Sequence, residues 1–210
     1  MIQIATPDDL SLIASCHMKA FPTTLSSRLG VSLVKKMLSW YLDSPKRFLF
    51  YIKVDNACIG YCGGTISDGT QVHGSASGMI QHSFKDAFRA LLLRPWLWFH
   101  ADLRSRYTLI LKNIYFKMIR YSTPVKDRIG QSLEPHAGLI VIGVDPANQG
   151  KGYASILLNE FERIVREKGI LKMMLTVLTT NEQAIIAYRK NGWIVFEAKQ
   201  KATLMVKYLS

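Results

Sequence analysis

Apolar residues along this chain change period several times, and each change marks an element. Met1-Ile2-Gln3-Ile4-Ala5 alternates as a short strand, and Thr6-Pro7-Asp8-Asp9 then supplies an N-cap, a first-turn proline and an acid three residues on. A helix is predicted from there to about Ala20. A loop from Phe21 to Ser27 leads to a second amphipathic helix that carries Leu33, Val34, Met37, Leu38 and Tyr41 on its buried face and ends near Ser44-Pro45. Residues 48–53 and 58–66 read as two strands joined by a hairpin at Asp55-Asn56. The Gly- and Ser-rich stretch from Ser67 to Gly78 reads as loop.

Bulky residues then fall at Phe88, Leu92, Trp96, Phe99, Leu103, Tyr107, Leu111, Ile114 and Met118. Steps of three and four predict an amphipathic helix, kinked or restarted at Pro95 and closed by Thr123-Pro124. The last third alternates element types: a buried strand over 139–144, a helix over 150–168 stopped by Gly169, and a strand over 171–178. A helix over 181–190 ended by Asn191-Gly192 follows, then strands over 193–197 and 203–208. That order implies a mixed sheet with helices packed on its faces.

Composition adds a compartment and a charge. Hydrophobic residues make up 49% of the 210 and charged residues 20%, enough for a packed core. Cys16, Cys58 and Cys62 are an odd number without metal-type spacing, so no metal is expected and a reduced, cytoplasmic setting fits. Cys58 and Cys62, four apart in a strand, are expected on one face. No leader is expected from the first residues, and the apolar stretch near Leu91 is too short and too charged to span a bilayer. Net charge is +12, and residues 79–130 hold ten Lys/Arg against three Asp/Glu. Such a balance suits a polyanionic cosubstrate, a nucleotide-linked substrate, nucleic acid or an anionic membrane.

The candidate chemistry begins after the buried strand, at Asp145-Pro146-Ala147-Asn148-Gln149-Gly150-Lys151-Gly152-Tyr153-Ala154. A helix's first amides lack internal partners and sit at the positive end of its dipole, and small residues let an anion reach them. Taken alone, Gly150 and Gly152 also fit a plain tight turn. The stretch is neither a dinucleotide fingerprint nor a P-loop. One strand later, Asn181, Ala184 and Tyr188 share a helical face, with Gly192 four residues on. Asn181 can cap that helix and offer its amide to a ligand, and Tyr188 adds a phenol about two turns along.

From 139 to Trp193 the chain resembles the GNAT superfamily of acyl-CoA-dependent N-acetyltransferases. Gln149-x-x-Gly152-x-Ala154 matches that family's phosphate-binding signature, and Asn181-x-x-Ala184-x-x-x-Tyr188-x-x-x-Gly192-Trp193 looks like its second cofactor motif. The resemblance implies an α/β (α+β) fold, a mixed, mostly antiparallel central sheet flanked by helices. It makes residues 1–210 a single acetyltransferase domain, with residues 79–130 a long, basic, helical insertion between the third and fourth strands.

It also implies chemistry. The strand before the phosphate loop splays from the strand after it. Backbone groups of Ile142 and Val144 would bond the pantetheine arm of acetyl-CoA, and Gln149, Gly150, Lys151, Gly152, Tyr153 and Ala154 would hold its pyrophosphate. Asn181 would take the pantetheine or thioester end. Tyr188 would be the catalytic acid that returns a proton to the CoA thiolate, since phenol and thiol have ordinary pKa values of about 10 and 8.5. Many relatives carry an acid on the central strand where this chain has Gly138; Glu134 and His136 are the nearby bases, and the amine can also lose its proton to water.

The expected acceptor is a small-molecule amine such as an amino sugar or a nucleotide-linked amino sugar. Acetylation of a protein N-terminus or lysine, and a non-catalytic acyl-CoA-binding or membrane-surface module, are the alternatives. The insertion has three readings: packing on the domain, binding an acidic acceptor, or contacting a membrane surface through Trp96, Trp98 and Phe99 beside Arg94 and Arg89. No recognised module points to a specific nucleic acid. A homodimer is compatible with the family.

Overall fold

The fold is built on one twisted sheet, seen in a computed structural model that describes residues 1–69, 76–94, 96, 97, 100 and 134–209. Seven strands lie in the order β1-β2-β3-β4-β5-β7-β6. They span Ile2–Ile4, Arg47–Val54, Ala57–Ser67, His136–Val144, Lys172–Leu178, Ile194–Ala198 and Ala202–Tyr208 for β1 to β7. Every neighbouring pair is antiparallel except β4 and β5. The mixed, mostly antiparallel sheet flanked by helices is the architecture expected.

Seven helices are described: α1 (Leu10–Ala20), α2 (Leu25–Leu29), α3 (Val31–Ser39), α4 (Ala76–His82), α5 (Phe84–Leu92), α6 (Tyr153–Glu167) and α7 (Glu182–Lys190). The helix start at Thr6 forms as a capping box, with Asp9 accepting from the Thr6 amide at 2.9 Å, but its first turn, Pro7–Asp9, is 3-10. The predicted loop at 21–27 is shorter than expected, because Leu25–Leu29 closes a helical turn that buries Leu29. The insertion lies between β3 and β4. Its described part is two short helices, α4 and α5, and α5 ends at Leu92, before Pro95. The helical repeat expected over 99–118 lies outside the described residues.

Two cores sandwich the sheet. On one face, Leu157, Phe161 and Val165 of α6 pack with Phe48, Phe50, Cys62, Leu139 and Leu175. On the other, Ile13 and Ala14 of α1 and Val34 and Leu38 of α3 pack on Leu49, Tyr51, Cys58 and Tyr61. Cys58 and Cys62 therefore face opposite cores, against the expectation of a shared face. The cause is a bulge: Ile52 pairs with Gly60 and Lys53 with Cys58, so Ile59 is an extra residue and the alternation flips there.

Candidate functional site

A second bulge shapes the strand that matters most. Gly63 pairs with Val141 and Gly64 with Leu139, so Ile140 is the extra residue on β4. Before it, Ala137 and Leu139 face the α6 core; after it, Ile142 and Val144 do, while Ile140 and Val141 both face α1 and α3. The run Leu139-Ile140-Val141-Ile142 is apolar throughout, which is why no alternation in the sequence revealed the switch.

The same strand parts from its parallel neighbour at that point. The β4–β5 ladder consists of Ala137 with Met173, Gly138 with Met174 and Leu139 with Leu175. Beyond it β4 continues to Val144 on β3, and β5 continues to Leu178 on β7. A wedge opens between them. The Asp145 amide donates to Ile59 O at 2.9 Å, so Asp145, Gly143 and Val141 turn their backbone groups toward β3. Alternation then points those of Ile142 and Val144 into the wedge. One of these is already engaged: Gln149 Nε2 donates to Val144 O at 3.3 Å. Gln149, expected among the phosphate ligands, thus holds the strand end in this structure.

At the mouth of the wedge the chain makes a 3-10 turn at Pro146–Asn148 and enters α6. Asp145 fastens this turn: its carboxylate accepts the Ala147 amide at 3.1 Å and pairs with Lys19 Nζ of α1 at 3.1 Å. Partial burial pulls its pKa up, but these two donors outweigh that and hold it below the ordinary value. The helix starts later than the sequence suggests, at Tyr153, because Gly150 and Gly152 adopt φ of +76° and +84°. A side chain resists that left-handed region. Neither glycine has any atom within 4 Å of where a Cβ would stand, so the space above the turn is open. Ile156 is the residue whose amide bonds back to Gly152 O, which leaves the amides of Tyr153, Ala154 and Ser155 as the helix's free first turn. Lys151 is exposed, with Nζ 3.1 Å from Asn148 Oδ1.

The second motif assembles beside the first. Asn181 caps α7 by accepting the Ala184 amide at 3.2 Å, and the residue is exposed. Asn191, at the end of α7, donates to Ser155 Oγ of α6 at 3.2 Å, tying the two helix ends together. Tyr188 packs against the α6-side core with its ring 6.1 Å from that of buried Trp193. Burial pushes its phenol well above the ordinary 10, and Cys62, the β3 partner of Ile142, acts in the same direction. The phenol is therefore fully protonated at neutral pH and lies on the α6 side of the sheet.

The bases considered on β4 are placed elsewhere. Glu134 is exposed and pairs with Lys172 Nζ at 3.0 Å, and His136 Nδ1 lies 2.9 Å from Glu134 O, both at the closed end of the β4–β5 ladder. A side chain at Gly138 would meet Thr65 Oγ1 at 3.1 Å.

No residue spacing points to the polar chain that lies on the opposite face. His17 Nδ1 lies 2.5 Å from the Tyr61 hydroxyl, and its Nε2 lies 3.4 Å from Ser26 Oγ. Ser26 meets Thr24 Oγ1 at 3.1 Å, and Thr24 donates to Phe21 O at 2.9 Å. Burial holds His17 down to about 4, so the ring is neutral. This chain anchors the α1–α2 loop to β3 directly behind Gly143, where a Cβ would meet Tyr61 and Phe21. The insertion reaches the same loop and the end of α2: His100 Nε2 is 3.0 Å from Thr23 O, and Arg94 Nη1 donates to Leu29 O.

The arrangement is a wedge with strand groups of Ile142 and the Val144 amide along one wall, an open helix start at its mouth and a protonated phenol packed on the α6-side core. Against known proteins, a model of the acetyltransferase (GNAT) family matches residues 12–193. No curated protein matches the sequence. Among solved structures, the chain is similar to the PaiA N-acetyltransferase of Thermoplasma acidophilum in complex with coenzyme A, at 15% identity and TM-score 0.57 over 99% of each chain. It is similar to the ribosomal-protein-S18-alanine N-acetyltransferase of Escherichia coli at 14% identity and TM-score 0.54, covering 100% of this chain and 94% of that one. An acetyltransferase from Thermus thermophilus gives 12% identity and TM-score 0.56, covering 100% and 97%. At such identities the likeness is one of fold.

Proposed function

The chain belongs to the GNAT family of acetyltransferases, and from that premise we propose that it moves an acetyl group from acetyl-CoA to a primary amine of a small molecule. The observation that carries this reading is the wedge itself: β4 leaves β5 after three residue pairs, directly below a helix start made open by Gly150 and Gly152. An extended amide-bearing arm fits along Ile142 and the Val144 amide as an added strand would. A pyrophosphate fits at the amides from Gly150 to Ala154, with exposed Lys151 adding positive charge. The Asn181 side-chain amide faces solvent at the start of α7 and can reach the arm or the thioester end.

Bound there, acetyl-CoA supplies an activated acetyl thioester. The residues of this chain then do three things. A backbone N–H on the free edge of β4 donates to the thioester carbonyl oxygen as negative charge builds on it. Tyr188 keeps a hydrogen for the departing thiolate; burial guarantees the protonated state, and it also makes the phenol a weaker acid than the ordinary value implies. No side chain is assigned to deprotonation, because Gly138 has none and Glu134 is committed to Lys172. The amine reaches the wedge neutral, having given its proton to water; as the N–C bond forms and the C–S bond breaks, the nitrogen sheds a second proton through water, and that proton restores the Tyr188 phenol after it has protonated the thiolate.

For the acceptor, the start of the insertion meets the α1–α2 loop at Thr23 and the end of α2 at Leu29, and that end of the insertion is basic. An amino sugar, free or linked to a nucleotide, suits this charge. The test is mass-spectrometric product detection with acetyl-CoA and a panel of amino sugars, nucleotide-linked amino sugars, polyamines and peptide N-termini, alongside release of free thiol. Acetylated sugar is the expected product. Acetylated peptide alone would move the acceptor to protein, and tight CoA binding without thiol release for any amine would refute catalysis.

A further inference from the structure

The helix α5 displays an apolar stripe that the fold does not use. Its Leu91 is buried with Leu29, Leu33 and Leu97, and Ala87 and Ala90 pack beside it. That inner face is enough to dock the helix on α2 and α3. Phe84, Phe88 and Leu92, spaced four apart, form a second row that faces outward, exposed by 48%, 44% and 58%. The Phe84 and Phe88 rings stack on each other, 6.5 Å apart and 16° from parallel. Just past the helix end, Leu93 and Trp96 are exposed too, by 79% and 65%. Lys85 and Arg89 flank it on the side away from the core, both exposed.

We propose that this stripe is a membrane-surface contact that lays α5 into the interface of an anionic bilayer. Two features choose that occupant. Aromatic and leucine side chains in one row, bordered by cations on the neighbouring row, are what an in-plane interfacial helix presents: the rings enter the headgroup boundary and the cations stay at the phosphates. The charge of the whole chain, +12, attracts it to the same surface. No described helix is long and apolar enough to cross a membrane, so the contact is one of lying on the surface. The helix that touches lipid is joined through Arg94 to the carbonyl of Leu29, so the junction of α2 and α3 sits next to the surface. The inference stands apart from the transferase reading, and its test reads no catalytic activity.

The test is vesicle flotation of the full chain with phosphatidylcholine alone and with about one third phosphatidylserine. Binding to the anionic vesicles only is expected, because each basic residue near such a surface contributes roughly fivefold in affinity. The variant Lys85→Glu/Arg89→Glu is expected to bind at least tenfold more weakly, and Phe84→Ser/Phe88→Ser/Leu92→Ser equally so. A second measurement does not depend on those variants folding. Cys16, Cys58 and Cys62 are buried, so Phe88→Cys can be labelled selectively with an environment-sensitive dye. A blue shift on adding anionic vesicles, without one at a label on Ser11→Cys, is expected. Absence of that shift overturns the proposal, as does binding that the apolar triple variant leaves intact. Conversion of a dimer to a monomer by the triple variant would also overturn it, by assigning the stripe to a second copy.

Discussion

Three glycines around α6 separate backbone strain from ligand binding. Gly150 and Gly152 precede the helix and Gly169 follows it, with φ of +76°, +84° and +70°, and none has an atom within 4 Å of its missing Cβ. Replacing any of them by alanine forces an L-residue into the left-handed region at about 1–2 kcal/mol and meets no neighbour. For a chain of 210 residues that lowers Tm by about 3–6 °C in each case. Affinity for CoA is expected to divide them. In the proposed site the pyrophosphate fills the open space that a methyl at Gly152 would enter, and losing two anion–amide contacts at about 1 kcal/mol each raises Kd about 30-fold. Gly169→Ala, at the other end of the helix, is expected to leave Kd unchanged. Gly152→Val, β-branched at positive φ, is expected to abolish CoA binding. Isothermal titration with CoA and thermal melts on the same preparations give both numbers. Equal Kd for Gly152→Ala and Gly169→Ala would remove the phosphate site from the helix start.

Three further outcomes follow from the geometry. Tyr188→Phe is expected to cut turnover at least tenfold while CoA affinity stays within about twofold, measured by thiol release and titration; unchanged turnover removes Tyr188 as the donor. His17 is held near 4 when folded against 6.5 when free, so below pH 6.5 the unfolded chain takes up a proton that the folded chain refuses. Stability is then expected to fall by about 3 kcal/mol as pH drops from 6.5 to 4, and His17→Gln to flatten that part of the denaturation profile. Lys207 Nζ lies 2.6 Å from Glu162, and partial burial of that carboxyl is outweighed by Lys207 and Arg166, which hold its pKa below 4.5. Lys207→Met is expected to cost about 1–3 kcal/mol at pH 7, with the loss vanishing as acid protonates Glu162 below pH 4.5, read by urea denaturation.

Legibility in the sequence followed the locality of the cause. The hairpin at Asp55-Asn56 and the helix stops at Gly169 and Gly192 were readable because each is a local backbone demand: both hairpin residues take positive φ, at 46° and 62°. The two motifs around Gly152 and Tyr188 were readable because their spacing is fixed within single elements. The bulges at Ile59 and Ile140 were not, since a run buried on both faces carries no alternation to break. That is why Cys58 was expected on the wrong face. The engagement of Gln149 with Val144 and the chain from Tyr61 through His17 to Thr24 depend on approaches between distant segments, which spacing does not encode.

The short β4–β5 ladder also divides the molecule mechanically. Among the described residues three backbone pairs join strands β1–β4 to strands β5–β7, so the hydrogen-bonded sheet is two plates meeting at a seam. Helix α6 is the rivet. Its Phe161 lies on Phe48 and over Gly64 in the first plate, while its Ser155 and Glu162 hold Asn191 and Lys207 in the second. Side chains still cross the seam, where Leu139 and Leu175 share the core beneath this helix. Any molecule that lies along the free edge of β4 and touches β5 supplies rungs the seam lacks, and it closes two half-sheets into one.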